Sequence, residues 1–234
     1  MNRDPAKADV WVVEPTNLHP EVAAQCLEVL SIEERCRMLD FHFEQDRCAF
    51  LAAHALKRFA LTSREPEIPP QAWSFDVSQY GRPEIASTVG VPRWRFNLSH
   101  TRNLVACVIT LDIDCGVDIE QVRHPFDWTD ANPKVLTSSE LAQLALAPDE
   151  DRSGLFCRFW TLKEAYAKAH GLGLHLPFHQ IPFELGDGDP QLCPYSAEWQ
   201  FEQWAPNPSH FLATAIREST PVDIIRHFGI PTIK

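Results

Sequence analysis

The sequence predicts an α/β (α+β) protein built from two related halves, and three observations carry that prediction. Short apolar strand signals alternate with amphipathic helical stretches along the chain. Three landmarks recur at a constant spacing: Glu14 and Glu120 each close a short apolar strand, Leu30-Ser31 and Leu136-Thr137 each precede a helix, and Lys57 and Lys163 each sit in the helix that follows, all 106 residues apart. A fixed offset across strand, cap and helix is the mark of an internal duplication. Finally, 234 residues at 44% hydrophobic and 23% charged suit one large domain or two small ones sharing a core. The boundary falls near Asp112 to Cys115, giving a first half over 1–112, a second over 113–217 and a tail over 218–234.

Element by element, Val10 to Val13 is a short apolar strand. Pro20 to Leu30 and Ile32 to Leu39 read as helices, the second with Ser31 as N-cap followed by Glu33 and Glu34. Asp46 to Leu61 has the clearest helical period in the first half, with Phe50, Ala53, Leu56, Ala60 and Leu61 on one stripe and Arg47, Lys57 and Arg58 projecting elsewhere. Strands follow at Trp73 to Asp76, Arg95 to Leu98 and Leu104 to Leu111, the last a nearly continuous apolar run suited to a sheet interior. In the second half, Gly116 to Glu120 is a strand and Phe159 to Gly171 a helix with glycine just past its end. Gly186 to Pro190 forms a turn into late strands at Ala197 to Trp204 and His210 to Ile216.

Composition excludes several classes of function. No apolar run approaches the roughly 20 residues of a membrane span. The first residues carry charges and a proline where a signal peptide needs an apolar stretch, so a cytoplasmic protein is expected. Seven cysteines form no C-x-x-C pair and read as buried thiols rather than a disulfide framework or a zinc site. A net charge of −11 argues against binding nucleic acid through a general basic field, so an anionic ligand needs a local basic patch.

Three segments carry chemistry. In Cys115-Gly116-Val117-Asp118-Ile119-Glu120 the period of two places Asp118 and Glu120 on one strand face, about 7 Å apart. Such a pair either holds a hard cation such as Mg²⁺ or forms the solvated face of an edge strand. In the helix Phe159 to Gly171, Phe159, Leu162, Tyr166 and Ala169 share one side while Glu164 and Lys168 lie roughly opposite. Those two read either as a surface i,i+4 ion pair or, with Lys163 on their flank, as a phosphate cradle. The strand Arg95 to Thr101 ends in Ser99 and His100, and strand ends commonly present binding groups.

Phe-Asn-Leu-Ser-His over 96–100, Gly-Val-Asp-Ile-Glu over 116–120 and Phe-Trp-Thr-Leu-Lys-Glu-Ala-Tyr-Ala-Lys over 159–168, in that order, resemble the signature of 4′-phosphopantetheinyl transferases, specifically the monomeric, two-lobed surfactin-synthetase-activating (Sfp) type. The resemblance spans about residues 9 to 216. It implies two pseudo-symmetric α/β halves with the active site between them. It also implies a reaction: a serine hydroxyl of an apo acyl or peptidyl carrier protein attacks the β-phosphorus of coenzyme A, taking the phosphopantetheine arm and releasing adenosine 3′,5′-bisphosphate. Asp118, Glu120 and Glu164 would hold Mg²⁺, or Mn²⁺ in its place. Lys163 and Lys168 would neutralise phosphate charge, Lys168 assisting the leaving group. The base would be Glu164, directly or through a metal-bound water, or Glu120. Ser99 and His100 would contact nucleotide phosphates, Arg37 and Arg47 the 3′-phosphate. Arg82, in Gly81-Arg82-Pro83, replaces the lysine of the family's usual Gly-Lys-Pro, keeping the charge without the compact ammonium. The carrier would dock on Val122 to Leu146. The implied partners are coenzyme A and a carrier, with no nucleic acid and no membrane. The alternative is a module that binds coenzyme A or a carrier without transferring anything. A phosphate-cradling glycine loop, which a kinase or other nucleotide enzyme would need, is absent.

Overall fold

A computed structural model of the chain describes residues 6–233 apart from 88, 89, 91, 126, 128–133 and 187. Its internal contacts divide it into two units, Met1–Ile113 together with Val222–Lys234, and Asp114–Pro221.

Unit 1 is a four-stranded sheet beneath a long helix. Strands β1 (Ala6–Val13), β4 (Trp94–His100), β5 (Val105–Leu111) and β11 (Val222–Phe228) lie in the order β11-β1-β5-β4. The β1–β5 and β5–β4 pairs are antiparallel and β11 runs parallel to β1. β5 is the sheet interior that its apolar run predicts, every residue from Val105 to Thr110 being fully buried. Helix α3 (Glu44–Arg64) buries Ala52, Leu56, Ala60 and Leu61 against Phe96, Cys107 and Ile109. Helices α1 (Pro20–Val29) and α2 (Ile32–Leu39) precede it, and a hairpin of β2 (Phe75–Val77) and β3 (Pro83–Ile85) follows it. The Ser31 hydroxyl accepts from Glu34 N–H while the Glu34 carboxylate accepts from Ser31 N–H, a reciprocal cap that starts α2.

Unit 2 places helix α5 (Asp149–His170) across a three-stranded antiparallel sheet of β6 (Cys115–Gln121), β10 (His210–Ile216) and β9 (Gln200–Asn207), in that order. Helix α4 (Ser138–Leu146) and the two-residue strands β7 (Phe183–Glu184) and β8 (Gln191–Leu192) complete it. Phe159, Leu162, Phe183, Leu136 and Leu144 form its core. The sequence repeat has a structural counterpart in these two sheets. β1-β5-β4 and β6-β10-β9 have the same order and the same antiparallel sense, and α4 opens with its own reciprocal cap, between Thr137 and Glu140, 106 residues after the first.

Three expectations change. Residues 222–228 are a strand rather than a tail: Asp9 binds both His227, at 2.8 Å, and Arg64, and His227 stacks on Trp11. α5 begins at Asp149, ten residues earlier than expected, with Asp149, Glu150 and Asp151 complementing the positive end of the helix dipole. Lys57 and Arg58, which lie off the apolar stripe of α3, are buried and share the Glu34 carboxylate. Of the seven cysteines, all of them free, Cys36 and Cys193 are exposed. No helix among the described residues is long and apolar enough to cross a membrane.

Candidate active site

The acidic strand and the charged helix meet inside unit 2. Gly116, Asp118 and Glu120 share the face of β6 that α5 crosses, because side chains alternate along a strand. The helix runs in the opposite sense to the strand, so each position finds a partner further back along α5. At Gly116 the helix backbone comes so close that a Cβ would collide with Ala165 O and lie 2.6 Å from Ala169 N. At Asp118, Oδ1 accepts from Lys168 Nζ at 2.6 Å. At Glu120, Oε1 accepts from Trp160 Nε1 at 3.3 Å, and the Glu120 carbonyl accepts from Cys157 Sγ. Glycine at 116 therefore brings the helix within reach of both carboxylates.

Glu164 sits one helical turn before Lys168 on the same side of α5. Burial, then the negative charge of Asp118 and also of Glu120, push its carboxyl up to about 7, against the opposing pull of Lys168. Glu120 is raised too, by burial and by Asp118. One ammonium thus faces three carboxylates that resist sharing their charge. Among the described residues no three His, Cys, Asp or Glu side chains converge as a ready-made cation site. The donor set, carboxylate oxygens without thiolate or imidazole, nevertheless suits a hard divalent cation, and the Lys168 ammonium bonded to Asp118 supplies positive charge to the same face.

Lys163, adjacent in sequence, points the other way. It is fully buried, with Nζ 2.9 Å from Glu140 Oε2, 2.8 Å from Phe178 O and 2.6 Å from Ile181 O.

Unit 1 holds a groove of about 860 Å³ whose wall includes Arg37, Phe50, Trp73, Phe75 and Leu98. Glu34, His54, Lys57 and Arg58 lie in it as one bonded cluster: Glu34 Oε1 meets His54 Nδ1 at 2.7 Å and Lys57 Nζ at 3.1 Å, and Oε2 meets Arg58 at 2.9 Å. These partners hold the Glu34 carboxyl well below the usual carboxylate range despite its burial. Burial pushes His54 down, against the opposing pull of Glu34. A smaller cavity of about 240 Å³ is lined by Arg82, Arg93 and Arg95. His100 stands exposed at the end of β4, and Ser99 is buried beside it.

A family described as the 4′-phosphopantetheinyl transferase superfamily matches residues 114–216, and the N-terminal region of 4′-phosphopantetheinyl transferases matches residues 14–110. The chain belongs to the 4′-phosphopantetheinyl transferase superfamily. The two matches abut near residue 112, where the repeat in the sequence puts its boundary. Among relatives, the 4′-phosphopantetheinyl transferase HetI of Nostoc is 28% identical over 88% of this chain and 93% of its own. The human L-aminoadipate-semialdehyde dehydrogenase-phosphopantetheinyl transferase is 26% identical over 95% and 78%. The Bacillus subtilis transferase Sfp is 26% identical over 72% of each chain. A solved holo-[acyl-carrier-protein] synthase of Thermotoga maritima overlays with a TM-score of 0.38 at 23% identity, covering 45% of this chain and 64% of its own.

Of the residues that the transferase motifs single out, the structure brings Asp118, Glu120, Glu164 and Lys168 together on one face of unit 2. It does not bring Lys163 there. A lysine flanking the charged face was expected to meet phosphate, but three acceptors and complete burial hold it on the underside of the helix. In unit 1, Arg37 lines the groove, whereas Arg47 donates to Phe41 O and lines neither cavity, and Arg82 lines the smaller one. The segment expected to dock a carrier, Val122 to Leu146, includes residues 126 and 128–133, which lie outside the described residues. Sequence reasoning missed the Glu34 cluster and the Glu140 partner of Lys163. The signal for both was the pair of S/T-x-x-E caps, each matched to a lysine 23 residues later.

Proposed function

We propose that this protein transfers the 4′-phosphopantetheine arm of coenzyme A to a serine of an apo acyl or peptidyl carrier protein, releasing adenosine 3′,5′-bisphosphate in a Mg²⁺-dependent reaction. The observation that carries the reading is the packing of α5 on β6, which gathers three carboxylates and a lysine on one face of a chain whose halves both match transferases.

Asp118, Glu120 and Glu164 would hold the divalent cation, whose chemistry there is to neutralise pyrophosphate charge. The remaining work falls to the protein's own groups. Glu164, on the side of α5 that carries Lys168, would accept the serine proton. As the serine oxygen bonds to the β-phosphorus, the bond from that phosphorus to the bridging oxygen breaks. Negative charge then builds on the bisphosphate leaving group, and Lys168, beside Asp118, supplies positive charge to it. Trp160 holds Glu120 in place through its indole N–H. In unit 1, the groove offers aromatic walls for a nucleotide base and Arg37 for a phosphate, with Ser99 and His100 at the end of β4 as further phosphate contacts.

Intact-mass measurement of candidate apo carriers incubated with coenzyme A, Mg²⁺ and this protein tests the reading. A gain of one phosphopantetheine on a serine is expected. Binding of coenzyme A with no mass gain on any carrier would leave a binding module in its place.

A further inference from the structure

The motif that the reaction does not absorb is Lys163. It lies next to Glu164 in sequence, yet it and Glu140 are both fully excluded from solvent. Burying two opposite charges is costly unless geometry and hydrogen bonds satisfy them, and here they do. The three ammonium protons have three acceptors: Glu140 Oε2, Phe178 O and Ile181 O. The Glu140 carboxylate in turn accepts from Thr137 N–H at 2.8 Å and Phe183 N–H at 3.0 Å. One charged node thus ties the middle of α5 to the start of α4 and to the segment entering β7.

The duplication supplies a second copy. Glu34 and Lys57 are the positions 106 residues earlier, and they form the same cap-to-helix ion pair at 3.1 Å in unit 1. There it is partly open to the groove and joined by His54 and Arg58. The same pair at both copies identifies the node as the device by which each half holds its long helix. In unit 1 the position after the lysine is Arg58; in unit 2 it is Glu164.

Apolar packing of Phe159 and Leu162 is non-directional, and the close approach at Gly116 fixes how near the helix comes. Rotation about the helix axis is held on the site side by the bonds of Trp160, Cys157 and Lys168 to β6, and the three hydrogen bonds of the Lys163 ammonium hold it from the opposite side. At a side-chain radius of about 5–6 Å, a 20° rotation moves a terminal carboxylate by about 2 Å. We propose that Lys163 is a positioning residue, its ion pair with Glu140 setting the rotation of α5 that aims Glu164 and Lys168 at Asp118. This rests on the reading of Glu164 and Lys168 as transfer machinery.

The test is the double variant Lys163→Met/Glu140→Gln, which removes both charges while Gln keeps the cap to Thr137. Met leaves the Phe178 and Ile181 carbonyls without their donor, and Gln, with one oxygen, cannot accept from both Thr137 and Phe183, so the double variant is expected to fold with a Tm lowered by about 5–15 °C. Misplacement of the reacting groups by an ångström or more lowers kcat about 100-fold while KM for coenzyme A stays within about threefold. A folded double variant with wild-type kcat overturns the proposal, as does a fall in activity carried mainly by KM. Should the double variant lose its fold, Glu140→Asp serves. It keeps the charge but shortens the reach by one methylene, and a folded Glu140→Asp enzyme with wild-type kcat overturns the proposal equally. Glu164→Gln separates the two levels. If that variant keeps full activity, the reading of the site itself fails; if it is inactive while the folded double variant is not, only the positioning role fails.

Discussion

Glu164→Gln should abolish transfer and at the same time make the protein more stable, and the second effect is the sharper test of the site's electrostatics. In the folded protein the Glu164 carboxyl is raised from 4.5 to about 7 by burial and by Asp118 and Glu120. A raised acid binds its proton more tightly when folded. Its contribution is therefore fully present below about 4.5, is lost as pH climbs from there to about 7, and stays lost above. At about 1.4 kcal/mol per tenfold change in proton affinity the ceiling is roughly 3 kcal/mol, and screening by water at this half-buried group brings the expected effect to roughly 1–2 kcal/mol. Glutamine has the same shape and no charge to desolvate. Calorimetric melts of both proteins in chelator, from pH 4.5 to 8.5, should coincide at the acid end. They should diverge to a Tm advantage of roughly 2–6 °C for the variant above pH 7. A variant less stable than wild type at pH 8, or a difference that does not change with pH, would refute the argument that like charges crowd this face.

Gly116→Ala should lower stability by about 3 kcal/mol or more and reduce kcat, since a Cβ there collides with helix backbone that cannot rotate away; thermal melts and steady-state rates on the surviving folded fraction check both. Mg²⁺ at about 100 times its dissociation constant should stabilise wild type by about 2.7 kcal/mol, an increment that Asp118→Ala should largely lose along with several kcal/mol of barrier lowering; melts with and without the ion decide it. His100→Ala should narrow the preference for coenzyme A over dephospho-coenzyme A roughly 10- to 150-fold, chiefly by weakening coenzyme A. An unchanged ratio of kcat/KM, with kcat falling for both donors, would move His100 from the nucleotide to the chemistry.

What the sequence made legible was whatever period and spacing encode. The alternation of β6 put Asp118 and Glu120 on one face, the helical period put Glu164 and Lys168 on one side of α5, and the constant offset marked the two sheets of matching order. What escaped depended on which way a long side chain turns. Lys57 and Arg58 read only as lying off the apolar stripe, and Lys163 as a phosphate contact, because lysine and arginine are rarely buried; each is buried because a capping glutamate, distant in sequence, waits for it. The last strand escaped because its alternation is irregular: Ile224 and Ile225 are adjacent, and the residues that anchor it, Asp9 and Trp11, lie more than two hundred positions away.

That last strand has a consequence for how the protein is made. During synthesis, β1 is made well before its parallel neighbour, which follows only after all of unit 2 has been translated. Until then β1 presents an open row of amides and carbonyls, a template on which a neighbouring chain could pair. A message cut short anywhere before residue 222 would leave that edge bare for good, however complete the acidic strand and its helix. The four-stranded sheet therefore closes only in a chain read through residue 228, which alone can cover its own first strand.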